Sequence, residues 1–271
     1  MMGEELEAAD VTDRGLLGDR VYALVDAIDG KIASAKNPRK WRKLFAHRAA
    51  FIEPPHQGEP QSPVCITLPD GSELTSNQDD IDQILSAAVG RPVVLRARAS
   101  RNATFEEFWP DLDGLDHRDT VTDEQAAEAA PLGTFFDYAV LHVLTTATLN
   151  YLAELYPQGR FEPRRFRPNI LVQTDESSHG FVENGWVGHT LRIGDEVRIK
   201  LTDPCPRCVM TTLAQGDLPE DPGILRTLAR HNRVVGGEYL GPAGVYAASA
   251  GAWATTLVGG RVRRGDQVSV D

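Results

Sequence analysis

Cysteine is scarce in this sequence, and the scarcity disfavours several classes of protein. The 271 residues include three cysteines, Cys65, Cys205 and Cys208. An odd and low count argues against a disulfide framework and is typical of a reducing compartment. No second pair of soft ligands accompanies the two cysteines at C-x-x-C spacing, so a structural zinc site is disfavoured.

Long apolar runs, a targeting signal and a surplus of positive charge are also lacking. No stretch approaches the roughly 18 uninterrupted apolar residues of a membrane span. The acidic opening, MMGEELE, has neither the basic nor the apolar part of a signal peptide. The formal net charge is −11, and a field of that sign repels phosphate backbones. We therefore expect a cytoplasmic protein with no membrane span and no nucleic-acid partner.

Short apolar segments between turn signals predict a mainly β protein. Such strand-like runs occur at residues 21–26, 64–68, 93–97, 139–144, 169–173, 190–193 and 197–201. Helical spacing is found at residues 79–89, 145–155 and 222–232. An acidic, loop-rich stretch at residues 101–131 is the best candidate domain boundary. We predict an α+β, mainly β fold with a barrel-like architecture and helical additions.

Residues 205–212, CPRCVMTT, are the sharpest local feature of the sequence. Two thiols at this spacing can form a redox pair, act as one reactive thiol beside a bystander, or be buried at a strand end. A redox pair normally begins a helix, and MTT followed by Gly216 is a poor helix. Arg207 lies between the thiols, and a neighbouring cation lowers a thiol pKa and favours the thiolate that binds metals.

Three arginines within four residues stand out in an acidic chain. Arg164, Arg165 and Arg167 precede the segment PNILV. Arginine presents a planar fork of donors to phosphate and other oxoanions. The run is therefore either an anion site or a solvated loop whose arginines pair with nearby acids.

The segment HVLTTATL, residues 142–149, predicts the start of a helix. Thr145 or Thr146 is a natural N-cap, and capping is the simplest interpretation. A helix N-terminus also offers free N–H groups and the positive end of its dipole to a phosphate. His142, just before it, is of a type that is more often structural than catalytic.

Taken in order, these motifs resemble the MOSC superfamily. The resemblance is carried by Gly18-Asp19-Arg20, FFD at residues 135–137, HVLTT, RFRPNI, CPRCVMTT and GDQV at residues 265–268. It spans residues 15–268. The family includes the C-terminal domain of molybdenum cofactor sulfurases and the mitochondrial amidoxime-reducing component. The resemblance implies a barrel-like MOSC domain at residues 101–271, preceded by a smaller β-rich MOSC N-terminal-like domain at residues 1–100.

The resemblance also implies a site for the molybdenum cofactor in its molybdopterin form. Cys208, the second cysteine of the CxRC pattern, is implied to be the metal ligand and the catalytic residue. The start of the helix at Thr145 is implied to bind the cofactor's phosphate. The residues implied to bind the cofactor are Arg20, Lys36, His142, Thr145, Thr146, Arg167, Asn169 and Arg207.

A reductase of N-hydroxylated compounds, such as hydroxylamines or amidoximes, is the activity that the resemblance implies. Molybdenum would pass two electrons from a separate donor to the N–O oxygen. The sequence has no flavin or iron–sulfur motif, so a redox partner is implied beside the small-molecule substrate. The alternative is a cofactor carrier or sulfur-transfer module without its own turnover. The pyridoxal-phosphate module of the fused sulfurases has no room in 271 residues.

The opening of the sequence departs from the family pattern. Family members usually have a strand and a Pro-Val-Lys-Ser-like segment before the Gly-Glu pair that is Gly3-Glu4 here. The lysine of that segment helps to bind the pterin in the family. We therefore expect the coding sequence to begin upstream of Met1, and a longer form to hold more cofactor.

Overall fold

The computed structural model describes residues 1–112, 118–239, 241 and 243–271. These residues are mainly β, as the sequence predicts. The strands up to residue 125 are β1 (Ala8–Thr12), β2 (Gly15–Leu16), β3 (Ala23–Asp26), β4 (Arg48–Phe51), β5 (Val64–Thr67), β6 (Glu73–Thr75), β7 (Val93–Arg96), β8 (Thr104–Trp109) and β9 (Thr120–Gln125). The later strands are β10 (Leu141–Thr145), β11 (Ile170–Val172), β12 (Thr190–Ile193), β13 (Val197–Pro206), β14 (Val234–Val235), β15 (Val245–Tyr246), β16 (Ser249–Val258), β17 (Gly260–Arg263) and β18 (Val268–Val270). The helices are α1 (Pro38–Trp41), α2 (Ile81–Val89), α3 (Thr146–Leu155), α4 (Pro163–Phe166) and α5 (Gly223–His231).

The largest sheet is built from the second half of the chain, in the order β11-β10-β16-β13-β12-β18. β10 and β11 are parallel, and the other neighbours are antiparallel. Irregularities interrupt the pairing of β13 with β16 at three places. Such bulges bend a strand and increase its twist, so the sheet is curled into a half-barrel. The predicted barrel-like architecture is confirmed in this form.

β10 is the second strand of this sheet, between β11 and β16, and is buried along its whole length. Because successive side chains point to opposite faces of a strand, Leu141 and Val143 pack into one apolar cluster and Leu144 into another. The first cluster fills the curl of the sheet. The second lies under α3 and α5. A polar side chain on β10 therefore has to find its partners inside the protein.

The first hundred residues build their own apolar cluster around α2, β5 and β7. Val209 and Leu213, which follow Cys208, belong to this cluster as well. β1 pairs with β17, near the other end of the chain. The division into domains at residues 1–100 and 101–271 remains a prediction.

The loop-rich interpretation of residues 101–131 is wrong for much of that stretch. β8 and β9 form an antiparallel pair from Thr104↔Gln125 to Trp109↔Thr120. β9, TVTDEQ, has no buried residue, so it lacks the apolar alternation that reveals a strand in a sequence. Residues 113–117, in the same stretch, lie outside the described residues.

The three predicted helices are confirmed, each within one or two residues of the expected bounds. Asp80 occupies the N-cap position of α2, but its side chain makes no capping hydrogen bond. α2 ends at Gly90, whose φ of 79° is left-handed and suits glycine. Within the part of the chain that the structure describes, no helix is long and apolar enough to cross a membrane.

Candidate functional site

The two cysteines of CPRC lie on different elements. Cys205 is near the end of β13 and is buried, whereas Cys208 is half-buried at the start of a 3-10 turn, Val209–Thr212. Both are free thiols. The turn is too short for the helix that follows a redox pair, as the sequence predicts. The arrangement separates one structural thiol from one that a ligand can approach.

Arg207 contacts the buried thiol of Cys205. Its Nη1 donates to Sγ of Cys205 at 2.8 Å, and its Nη2 donates to the carbonyl of Phe166 at 2.7 Å. Burial raises the pKa of Cys205 although Arg207 opposes it. Burial, with help from Glu107, raises the pKa of Cys208 to about 12. Arg207 lowers the pKa of both thiols, in the direction that the sequence predicts, but burial outweighs its charge and both pKa values are raised. A bound metal would have to displace the proton of Cys208.

Arg20, Arg167 and Arg207 form what we call the arginine cluster. Arg20 follows a Gly-Asp turn, and Arg167 caps the C-terminus of α4. Both have left-handed φ values, 49° and 54°, which are uncommon for residues other than glycine and cluster at functional sites. Burial, together with the nearby charges of Arg20 and Arg207, lowers the pKa of Arg167 to about 10, although Asp19 and Asp137 oppose the change. Like charges held this close favour an anion between them.

Two acids balance part of the positive charge of Arg20 and Lys36. Asp137 accepts from Nη1 of Arg20 at 2.7 Å and lies 3.2 Å from Nζ of Lys36. Glu107 lies 2.9 Å from the same Nζ. Burial raises the pKa of Asp137, but Arg20 and Lys36 outweigh it and hold that pKa well below its usual range. Both acids were missed as site residues at the level of the sequence, although Asp137 ends the FFD motif. Glu107 lies in β8, within the stretch predicted from the sequence to be loop-rich.

Asn169 and His142 brace the site from inside. Asn169 exchanges two hydrogen bonds with the backbone of His142, at 2.8 and 2.9 Å, and its Nδ2 donates to Asp19 at 2.7 Å. Nε2 of His142 lies 3.0 Å from the carbonyl of Ala250. Burial lowers the pKa of His142 to about 3, with Arg207 adding to the effect, so the ring is neutral. These contacts support the structural interpretation of His142, and a direct role of either residue in cofactor binding stays a prediction.

The start of α3 contacts an acidic side chain of the protein itself, Glu183. Oγ1 of Thr145 accepts from the N–H of Thr148 at 3.2 Å, which confirms the predicted N-cap, and it donates to Glu183 at 2.8 Å. Thr148 also donates to Glu183, at 2.6 Å. Burial raises the pKa of Glu183, while the hydrogen bonds from Thr148 and Thr145 oppose the rise. We call Thr145, Thr148 and Glu183 the glutamate cap.

Gly251 completes the glutamate cap from β16. Its N–H donates to Glu183 at 2.9 Å, and its φ is 80°. A Cβ at this position would lie 2.1 Å from Nε2 of His142. Only glycine meets both demands. Glu183 was missed from the sequence because a lone glutamate before NGW carries no motif.

Thr146, the second threonine of the helix start, is engaged as well. Its Oγ1 lies 3.1 Å from Oγ1 of Thr174 and accepts from the N–H of Thr174 at 3.0 Å. The hydroxyls of both implied phosphate ligands at the helix start therefore have partners within the protein. Among the described residues, no group of three or more His, Cys, Asp or Glu side chains could hold a metal ion. The metal hypothesis depends on Cys208.

The described residues thus form a mainly β protein in which a half-buried thiol lies near the three half-buried arginines of the arginine cluster. The model of the MOSC domain matches residues 133–269, just over half of the chain. The chain therefore belongs to the MOSC domain family. The match includes Asp137, Arg167, Arg207 and Cys208, whereas Arg20 and Lys36 lie before it.

Comparison with solved structures shows a similarity to YiiM from Geobacillus stearothermophilus. The identity is 13%, and the alignment covers 49% of this chain and 54% of that chain, with a TM-score of 0.33. The chain thus spans about half the length of that structure. No curated protein matches the sequence.

Proposed function

We propose that this protein binds the molybdenum cofactor in its molybdopterin form, with Cys208 as the metal ligand. The observation that carries the proposal is the position of the arginine cluster next to a half-buried thiol. Burial raises the pKa of Cys208, so a metal would have to release the thiol proton on binding and take its place as a cation. MOSC membership supports the same assignment.

The charged side chains present fit such a cofactor. A molybdopterin carries a terminal phosphate, and Arg20, Arg167, Arg207 and Lys36 supply guanidinium and ammonium donors. Nε of Arg207 is buried without a hydrogen-bond partner. A buried donor of this kind costs about 1–3 kcal/mol unless a ligand or water satisfies it. The arginine cluster is therefore the better candidate for the phosphate, and the start of α3, with its occupied hydroxyls, is the second.

The activity that we propose is reduction of N-hydroxylated compounds. When bound, the cofactor supplies two-electron chemistry at the N–O bond, with electrons from a separate redox partner. The chain itself holds the cofactor, fixes the metal through Cys208 and leaves the thiol side half-open. A cleft of about 490 Å³ is lined by Val209, Leu213 and Phe108 beside the 3-10 turn, but neither Cys208 nor the arginine cluster is among its lining residues, so it does not define the substrate site.

Elemental analysis tests the proposal. The protein is expressed in a host that makes the cofactor, and molybdenum and pterin are measured per chain for wild type, Cys208→Ser and Cys205→Ser. We expect Cys208→Ser to lose most of the metal and Cys205→Ser, which changes the buried thiol, to lose less. Equal metal in wild type and Cys208→Ser would contradict the assignment.

An assay then distinguishes an enzyme from a carrier. The loaded protein is given an artificial electron donor and a hydroxylamine or an amidoxime. Turnover that disappears in Cys208→Ser supports the reductase. Bound cofactor without turnover, or transfer of the cofactor or its sulfur to an acceptor protein, supports the carrier or sulfur-transfer module.

A further inference from the structure

Arg165 is a fully buried arginine that binds backbone instead of an acid. Its Nε donates to the carbonyl of Arg160 at 2.9 Å, and its Nη2 to that of Pro219 at 2.8 Å. Its Nη1 donates to the carbonyls of Thr211 and Leu213, at 3.1 and 3.2 Å. A guanidinium in the interior is stable only when its donors are satisfied, and here four carbonyls accept from four of its five N–H groups.

The accepting carbonyls lie on the turn that follows Cys208. Thr211 belongs to the 3-10 turn that begins at Cys208, and Leu213 follows it directly. Arg165 itself is in α4, whose C-cap is Arg167 of the arginine cluster. The side chain of Arg165 therefore joins the turn that follows Cys208 to α4, the helix that ends at Arg167.

A second arginine makes the reverse connection. Nη2 of Arg207, from CPRC, donates to the carbonyl of Phe166 in α4 at 2.7 Å. α4 thus reaches into the Cys208 turn through Arg165, and the Cys208 segment reaches into α4 through Arg207. Two connections in opposite directions fix both the separation and the orientation of the two segments. Arg164, between Glu162 and Asp217 on the surface, takes no part.

We infer that Arg165 is a positioning residue that holds Cys208 in a fixed place relative to Arg167. The inference depends on the proposed function for its purpose, because a metal ligand and a phosphate ligand must match one rigid cofactor. We call the hydrogen bonds that Arg165 and Arg207 make between α4 and the Cys208 segment the clamp. The clamp exists without the cofactor. Lysine cannot replace it, since an ammonium has three donors on one atom and cannot reach carbonyls that lie around a planar fork.

The test uses Arg165→Lys, with Arg164→Lys as the matched control from the same helix. Hydrogen exchange and iodoacetamide labelling of Cys208 are read peptide by peptide in the metal-free full-length protein. Losing charge-assisted hydrogen bonds should speed amide exchange at residues 209–213 and labelling of Cys208 by about tenfold to a hundredfold. Helix α2 and the Arg164→Lys variant should match wild type. In metal-loaded protein, the metal–thiolate absorption band should shift in Arg165→Lys alone.

Two results would overturn the inference. One is a uniform rise in exchange over the whole chain, which would make Arg165 a general stability residue. The other is unchanged labelling of Cys208 in Arg165→Lys. If Arg165→Lys does not fold, native-state exchange of wild type in low urea decides: α4 and the turn should open together, and separate opening refutes the clamp. Failure of metal binding leaves these readouts intact, so it counts against the proposed function alone.

Discussion

The arginine cluster and the glutamate cap are two candidate anion sites that differ in what already fills them. At the glutamate cap, two hydroxyls and the N–H of Gly251 converge on the carboxylate of Glu183. At the arginine cluster, three cations outnumber the nearby acids Asp19 and Asp137, and Nε of Arg207 is buried without a partner. The first site is filled by an acid of the protein, whereas the second keeps an excess of positive charge and one unpaired donor.

The difference shows how a positive helix end and a positive cluster can serve separate purposes. A helix N-terminus favours an anion, and that anion can be a side chain of the protein or an external ligand. Glu183 accepts from the hydroxyls of Thr145 and Thr148 at the start of α3, so an external phosphate would find these two donors already engaged. Four substitutions test this division, from the largest expected effect to the smallest.

Glu183→Ala should damage the fold more than the other three substitutions. It leaves the hydroxyls of Thr145 and Thr148 and the N–H of Gly251 without their shared acceptor. Buried donors that lose a charged partner should lower the free energy of unfolding by about 3 kcal/mol or more. Urea unfolding measures the loss, with Glu176→Ala on the surface as the control. A change under about 1 kcal/mol would mean that the cap is not satisfied as described.

Arg167→Ala should weaken retention of the cofactor by about tenfold to a hundredfold, the effect of one charge-assisted contact. Arg164→Ala, three residues away, is the control, since its partners Glu162 and Asp217 are on the surface. Bound pterin is measured by fluorescence after dialysis of matched samples. Indistinguishable retention in the two variants would remove the arginine cluster as the anion site.

Asp137 should make stability depend on acid pH. Its folded pKa lies below the unfolded value of about 3.9, so the ionised form stabilises the fold above that pH and the contribution is lost as the pH falls below it. Asp137→Asn should therefore show a flatter loss of unfolding free energy between about pH 5 and pH 2.5. The side chain is 34% exposed, so solvent screening keeps the effect modest. Parallel curves for both proteins would contradict the ion pairs with Arg20 and Lys36.

Thr146→Val should have the smallest effect. It removes the hydroxyl that bonds to Thr174, at a cost of about 1 kcal/mol in the free energy of unfolding. Thr146→Ser keeps the hydroxyl and is the control. We expect both variants to retain pterin as wild type does. A tenfold loss in Thr146→Val alone would transfer the phosphate to the start of α3, as the family resemblance implies.

Much of the fold follows from the sequence, because a half-buried strand shows its alternation and a helix shows its cap. The strand at Val64–Thr67 and the N-cap at Thr145 are examples. β9 was missed because both its faces are polar or exposed. The pairing of β1 with β17 could not be predicted, since no local sequence pattern identifies a partner strand so far along the chain.

The three arginines before PNILV show where prediction of the site stops. Arg164 pairs with surface acids, as the solvated-loop interpretation expects, whereas Arg167 lies in the arginine cluster, as the anion-site interpretation expects. Arg165 does neither and binds carbonyls in the interior. All three are arginines within four residues, so residue type and spacing do not distinguish them. What separates them is the direction of each side chain from a four-residue helix, and tertiary packing sets that direction.

The pairing of β1 with β17 also bears on the order in which the chain is made. Asp10 and Arg261 form an ion pair across these strands although 251 positions separate them. β2 follows β1 directly and can pair with it as soon as both are made, whereas the other edge of β1 stays unpaired until residues 260–263 have been synthesised. An open strand edge is a template for mispairing, so this edge of β1 is exposed to that risk throughout the synthesis of the residues between the two strands.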